Sequence, residues 1–199
     1  MALVQKKIKA PAKHRLPVAL EHSQCEALLW AVRVPLYRVV FECMYYSGLR
    51  IGEAMSLTVD SVDKAHMTLR VVGKGNKERL APLSEALYRD LRQAWSTHRT
   101  RPWLFPNRRS TGTVNAHTLE YAFRSACEQA GLDSAQVKPH SLRHSFATRL
   151  HEQGIPSETV RILLGHSSVE TTKRYLHLLE ASSDKVSGAL DIFCKSSMR

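Results

Sequence analysis

A single pair of short β-rich runs interrupts a sequence whose other apolar residues follow a helical spacing. The runs cover residues 67–72 and 79–83, and the segment between them contains Gly73, Gly75 and Asn76, which tolerate positive φ angles. The pattern predicts an antiparallel β-hairpin with lysines at its tip. One hairpin among several amphipathic helices predicts an α+β fold, mainly α-helical, with a small antiparallel sheet.

The helices are indicated by apolar stripes and by residues that begin or end them. Ser23 and Glu26 form a capping-box pattern before the first stripe, and Pro35 restarts the chain before the second. Gly48 is a natural C-terminal residue for that second helix, whose stripe predicts a core element. Further helices are expected after Ser84, from Asn115 to Gly131, from Pro139, from 156 to 164 before Gly165, from Ser167 to about 179, and in the amphipathic segment 184–193.

Charge and composition narrow the possible partners. The chain has 199 residues, 43% of them hydrophobic, which is enough for one domain with a core. Lys and Arg number 29 against 18 Asp and Glu, so the net charge is +11. A polyanionic partner is therefore expected, with nucleic acid ahead of a membrane surface.

Cysteine and histidine spacing gives no sign of a metal site. Cys25, Cys43, Cys127 and Cys194 lie far apart without a CxxC pair, and no HExxH motif occurs. His140 and His144 have HxxxH spacing, but no cysteine lies near them in the sequence. We therefore expect buried thiols in a cytoplasmic protein, with neither a metal nor a transmembrane span.

The segment 138–178 concentrates groups that can handle an anion. It contains His140, Arg143, His144, His166 and Tyr175. A guanidinium fork and an imidazole can bind a phosphate together, and a phenol of pKa about 10 becomes a nucleophile where cations and a base are near. Any one of these residues alone would more often be a hydrogen-bonded core residue. Their combination in a basic protein favours a phosphodiester substrate.

Other basic residues are ambiguous when taken alone. Arg50 with Glu53 fits an ordinary surface pair, and Lys74 between two glycines fits a solubilising turn. The loop 98–112 carries several arginines around an apolar plug. These arginines could contact phosphates, or they could form a solvated face. Candidate DNA contacts are Lys77, Arg79, Arg99, Arg101, Arg108, Arg109, Lys173 and Arg174.

Four motifs together resemble the catalytic domain of the tyrosine recombinases, the phage integrase family. They are YYSGLRIGEAMSL around Arg50, VVGKGNKERLAPL around Lys74, KPHSLRHSFATRL around His140 and Arg143, and LLGHSSVETTKRYLH around His166 and Tyr175. Their spacing is similar to that of the bacterial Xer-type members. The ordered set of six polar residues is far more specific than any one motif.

The resemblance implies a role for each matched residue. Arg50 and Arg143 would hold the scissile phosphate, and Lys74 would protonate the leaving 5′-oxygen. His140 would act as acid or base, and His166 would hydrogen-bond the phosphate. Tyr175 would be the nucleophile that forms a 3′-phosphotyrosyl bond, without a metal or another cofactor. Glu53 and His144 would support this set.

The resemblance also implies an organisation for the chain. Residues 1–16 are expected to form a basic arm, 17–180 the catalytic domain, and 181–199 a tail that could pack on a neighbouring subunit. The N-terminal core-binding domain common in the family is absent from the sequence, and a complete short member is favoured over a fragment. The expected partner is double-stranded DNA, bound by a homo-tetramer at paired sites, with the protein cytoplasmic and nucleoid-associated.

Two other functions remain open on the sequence alone. A type IB topoisomerase uses similar chemistry but relaxes supercoils without pairing sites. A DNA-binding regulator could keep the fold without catalysis, because the short helices near 156–164 and 169–179 could pass for a helix-turn-helix.

Overall fold

Helices dominate the computed structural model, which describes residues 19–73 and 78–165. In these ranges the helices are α1 (His22–Ala31), α2 (Pro35–Tyr46), α3 (Ile51–Met55), α4 (Glu85–Ser96), α5 (Ala116–Gln129), α6 (Pro139–Glu152) and α7 (Ser157–Leu163). The strands are β1 (Val62–Asp63), β2 (Thr68–Val72) and β3 (Glu78–Pro82), and a 3-10 turn at Val59–Ser61 precedes β1. The predicted fold class is confirmed.

Helix α2 lies at the centre of the domain. Pro35 occupies its first turn, where the missing N–H costs no hydrogen bond. Most of its residues from Val39 to Tyr46 are buried, and it packs against α1, α3, α4 and α6. A helix that is apolar on most sides must lie inside, so the prediction of a core helix is confirmed.

The predicted hairpin forms the larger part of a three-stranded antiparallel sheet of order β1-β2-β3. Val72 pairs with Glu78 next to the tip, and Thr68 pairs with Pro82 at the other end. The tip itself, residues 74–77, lies outside the described residues. Strand β1 was not predicted, because two residues are too short to show a period.

Most predicted helix boundaries are confirmed by their capping contacts. Ser84 Oγ accepts a hydrogen bond from the Leu87 amide at 3.2 Å, and Asn115 Oδ1 accepts one from the His117 amide at 2.8 Å. The chain has positive φ at Gly48, Gly131 and Gly165, after α2, α5 and α7 respectively.

The predicted start of α1 was wrong. Its capping box consists of Glu21 and Gln24 instead of Ser23 and Glu26, and the Glu21 amide donates to Gln24 Oε1 at 3.0 Å. The buried Leu20 donates its amide to Ser145 Oγ on α6 at 2.7 Å. This tertiary contact fixes the chain just before Glu21, and so the helix begins earlier than local preference alone predicts.

The basic loop 98–112 has the predicted apolar plug. Leu104 and Phe105 are buried, and the Leu104 amide donates to the Leu57 carbonyl at 3.0 Å. The loop therefore packs against the chain that follows α3. Its four arginines are exposed: Arg99, Arg101, Arg108 and Arg109.

The other general predictions concern thiols, membranes and metals. Cys25, Cys43 and Cys127 are buried and free, as predicted, and Cys194 lies outside the described residues. Among residues 19–73 and 78–165, no helix is both long and apolar enough to cross a membrane. The same residues contain no group of three or more His, Cys, Asp or Glu side chains arranged to hold a metal ion.

Candidate active site

The N-terminal end of α3 presents Arg50 at the surface with its carboxylate partner behind it. The Arg50 backbone amide donates to Glu53 Oε2 at 2.7 Å, and its Nη1 donates to Glu53 Oε1 at 2.9 Å. The Arg50 side chain is 45% exposed and that of Glu53 is 4% exposed. Glu53 thus holds Arg50 from the inside and leaves part of the guanidinium open to a ligand.

Glu53 also binds two buried arginines from distant parts of the chain. Arg79 on β3 donates from Nη2 to Glu53 Oε2 at 2.8 Å, and Arg143 Nη1 on α6 lies 3.6 Å from the same oxygen. Arg79 and Arg143 are 9% and 3% exposed. A single carboxylate therefore joins α3, the sheet and α6.

Arg143 connects two backbone segments that are far apart in the sequence. Its Nη1 donates to the Gly48 carbonyl after α2, and its Nη2 donates to the Leu164 carbonyl at the end of α7. A guanidinium has five N–H donors, so three remain after these two bonds. Arg143 can therefore hold the site together and still offer donors to an anion.

His140 lies three residues before Arg143, in the first turn of α6, and its side chain is exposed. Partial desolvation of the imidazole by its surroundings lowers the pKa of His140 from 6.5, and the charges of Arg143, Arg50 and His144 lower it further. Its imidazole is thus kept neutral near pH 7 and able to accept a proton. His144 is half-buried beside it.

The charges in this cluster do not balance. Burial by itself raises the pKa of Glu53, but the hydrogen bond and charge of Arg79 and the Arg50 amide lower it below 4.5, so the carboxylate is ionised. Burial and the charges of Arg79 and Arg50 lower the pKa of Arg143, yet a guanidinium stays protonated at neutral pH. Three cations therefore face one carboxylate, and a bound anion would reduce their mutual repulsion.

The structure places five of the candidate site residues near one another: Arg50, Glu53, His140, Arg143 and His144. Three predicted catalytic residues and three predicted DNA contacts lie outside the described residues: Lys74, His166, Tyr175, Lys77, Lys173 and Arg174.

The DNA contact predicted for Arg79 does not fit its position. Its side chain is buried, and its guanidinium is bonded to Glu53 and to the Leu163 carbonyl, the latter at 2.8 Å. The alternation of side chains between the two faces of β3 could have indicated that Arg79 is buried, because Arg79 lies on the same face as the buried Ala81. The carbonyl partners of Arg143 have no comparable signal in the sequence.

Residues 19–182 match the model of the phage integrase family. The chain is 38% identical over 179 residues to the tyrosine recombinase XerD of Yersinia pestis, covering 82% of this chain and 58% of that protein. It is 37% identical over 171 residues to the putative integrase/recombinase y4qK of Sinorhizobium fredii, covering 85% and 54% respectively. The chain therefore spans somewhat more than half the length of these relatives.

Two solved structures show the same fold. The integrase from mycobacterium phage Brujita superposes with a TM-score of 0.70 at 22% identity, over 92% of this chain and 59% of that one. The XerH site-specific recombinase, bound to a palindromic difH substrate in a post-cleavage complex, gives 0.69 at 23% identity, over 89% and 55%. With a family match over most of its length, relatives well above 30% identity and this shared fold, the chain belongs to the phage integrase family.

Proposed function

We propose that the chain is a site-specific DNA recombinase that breaks and rejoins double-stranded DNA through Tyr175. The observation that carries the proposal is the cluster of three guanidinium groups around the single Glu53 carboxylate, with His140 beside it. Such a site favours a substrate that gains negative charge in the transition state, as a phosphodiester does during displacement. The membership of the phage integrase family supports the same substrate.

The proposed reaction is a reversible exchange of phosphate esters. The Tyr175 oxygen attacks the scissile phosphorus while its proton passes to His140, whose pKa is lowered by desolvation and by its cationic neighbours, so that it is neutral. The bond from phosphorus to the 5′-oxygen breaks, and Lys74 gives that oxygen a proton. The products are a 3′-phosphotyrosyl bond and a free 5′-hydroxyl. Attack by the 5′-hydroxyl of another strand reverses these steps and releases Tyr175.

Each residue near the phosphate has a distinct task in this scheme. The exposed part of Arg50 and the remaining N–H groups of Arg143 would bind the non-bridging oxygens. His166 would add a hydrogen bond to the same phosphate. Because the phosphotyrosyl bond retains the energy of the phosphodiester, rejoining requires neither a nucleotide nor a metal.

The direct test is capture of the covalent intermediate. A duplex with a nick close to the cleavage position loses its short 5′-hydroxyl fragment after cleavage, so that rejoining cannot occur. We expect a protease-sensitive protein–DNA adduct, with the nucleotide attached to the peptide that contains Tyr175 when the adduct is digested and analysed by mass spectrometry. Absence of an adduct on duplexes from the DNA flanking the gene, or attachment at another residue, would contradict the proposal.

The four exposed arginines of the loop 98–112 are proposed to contact DNA phosphates. We expect that replacing Arg108 and Arg109 with alanine weakens binding to all duplex sequences alike. It should also reduce the slope of log affinity against log salt by about one for each phosphate that the removed side chains had neutralised. Gel shifts over a series of salt concentrations measure the slope. Arg92→Ala, which removes an exposed arginine on α4, is the matched control, and an equal effect there would contradict a specific role for the loop.

The assembly and the domain boundaries belong to the same proposal. Residues 17–180 would form the catalytic domain, and the family match over residues 19–182 supports this proposal. Recombination joins two duplexes, so a homo-tetramer on paired sites is proposed, with the segment 184–193 packing on a neighbouring subunit. Sedimentation with and without duplex DNA tests this, because a complex that never exceeds one protein per site would contradict it. Action on chromosomal DNA would place the protein with the nucleoid, where a fluorescent fusion can be located.

A further inference from the structure

Arg79 is a buried arginine that adds its charge to the cluster around Glu53 but has no direct task in the proposed reaction. It is the second residue of β3, and its side chain points to the inner face of the sheet, where it is 9% exposed. Burying a guanidinium is costly unless it is paired and hydrogen-bonded. The buried Arg79 guanidinium must therefore have partners that offset this cost.

The Arg79 guanidinium joins the active-site carboxylate to the end of a helix. Nη2 donates to Glu53 Oε2 at 2.8 Å, and Nη1 donates to the Leu163 carbonyl at 2.8 Å. The last carbonyls of a helix have no partner within it, and cationic side chains commonly satisfy them. Arg143 donates to the next carbonyl, that of Leu164. Two arginines thus fix two consecutive carbonyls at the C-terminal end of α7.

Gly165 packs directly on the Arg79 side chain. It has φ +69°, and a Cβ at this position would overlap Cδ of Arg79 and lie 2.9 Å from Nε. Glycine is therefore required twice, once for the backbone angle and once for the space that Arg79 fills. Arg79 and Gly165 together determine the position of the chain just before residue 166.

We propose that Arg79 is a positioning residue for DNA cleavage, acting through the phosphate-binding groups that it holds. On one side it orients Glu53, which in turn orients Arg50 and faces Arg143. On the other side it holds the end of α7, from which the chain continues to His166. This inference rests on the proposed recombinase function. All three nitrogen atoms of the Arg79 guanidinium already donate to Glu53 or to the Leu163 carbonyl, so Arg79 itself is not expected to touch the phosphate.

The test compares two nicked duplexes that differ only at the scissile phosphate. In one, a methyl group replaces a non-bridging oxygen, and the neutral methylphosphonate that results no longer needs cations to balance its charge. Relative to wild type, we expect Arg79→Gln to slow adduct formation about 10²-fold on the ordinary phosphodiester. On the methylphosphonate, the same variant should be slower than wild type by less than about tenfold. Arg79→Lys should recover only part of the rate, because an ammonium group lacks the planar fork with which Arg79 donates to Glu53 and to the Leu163 carbonyl in parallel.

Arg70→Gln is the matched control, since Arg70 is an exposed arginine on the neighbouring strand β2, and it should keep the wild-type rate. Equal losses on the two substrates, or an Arg79→Gln rate within about threefold of wild type on the phosphodiester, would overturn the inference. Failure of the wild-type protein to form any adduct would instead overturn the proposed function.

Gly165→Ala provides a second test that keeps the arginine and serves if Arg79→Gln does not fold. The added methyl group would displace Arg79, so the phosphodiester rate should fall at least about tenfold. Gly154→Ala is its control, because Gly154 has φ +76° but nothing within 4 Å of the added Cβ. Equal rates for the two alanine variants would overturn the inference.

Discussion

Replacing Arg143 with alanine will reduce adduct formation by at least about 10²- to 10³-fold, which is the usual cost of removing one donor to a developing oxyanion. It will also lower the free energy of unfolding by about 2–4 kcal/mol. Arg143 is 3% exposed and donates to the carbonyls of Gly48 and Leu164, and a buried acceptor without a partner costs about 1–3 kcal/mol. Removing Arg143 also relieves repulsion among the three guanidinium groups, which offsets part of the stability lost at the two carbonyls.

A lysine variant shows whether the charge of Arg143 or the planar shape of its guanidinium matters more. Arg143→Lys keeps the positive charge but lacks the planar fork that reaches both carbonyls, so we expect it to restore less than half of the lost stability. Chemical denaturation measures the free energy of unfolding, and adduct rates are compared at a temperature where each variant is folded. Arg124→Ala on α5 removes an exposed arginine and should change stability by no more than about 0.5 kcal/mol. An Arg143→Ala protein as stable and as active as wild type would contradict the assigned role.

The sequence predicted those parts of the fold that depend on local rules. The hairpin followed from two β-rich runs around a glycine-rich turn, and the helix ends followed from Ser84, Asn115 and Gly48. Each of these features involves neighbours within a few residues. The prediction for the start of α1 was wrong because that position depends on the hydrogen bond between Leu20 and Ser145, which are 125 residues apart in the sequence.

The active site was predictable as a set of residues but not as an arrangement. Arg50 and Glu53 by themselves fit an ordinary surface pair, and only the resemblance to a family singled them out. Their surroundings come from tertiary contacts, since Glu53 also meets Arg79 at a separation of 26 residues and Arg143 from α6. Backbone carbonyls such as that of Leu164 carry no residue-type signal at all. The positioning of the site therefore becomes visible only once the chain is folded.

Replacing Tyr175 with phenylalanine will abolish adduct formation completely, because the change removes the one oxygen that attacks phosphorus. Binding should survive, since the proposed phosphate contacts come from arginines, and these are present in the variant. Gel shifts equal to those of wild type, with no adduct on any nicked duplex, are the expected pair of results. A Tyr175→Phe protein that still forms adduct would mean that another residue is the nucleophile.

A substrate with sulfur in place of the scissile 5′-oxygen makes this prediction specific to the nucleophile. A thiol has a pKa of about 8.5, far below that of an alcohol, so it leaves as a thiolate without taking a proton. Lys74→Ala should therefore recover cleavage on this substrate, because only its proton is missing. Tyr175→Phe should not recover, since an easier leaving group does nothing when no oxygen attacks. Equal rescue of both variants would show that Tyr175 assists the leaving group and does not form the covalent bond to DNA.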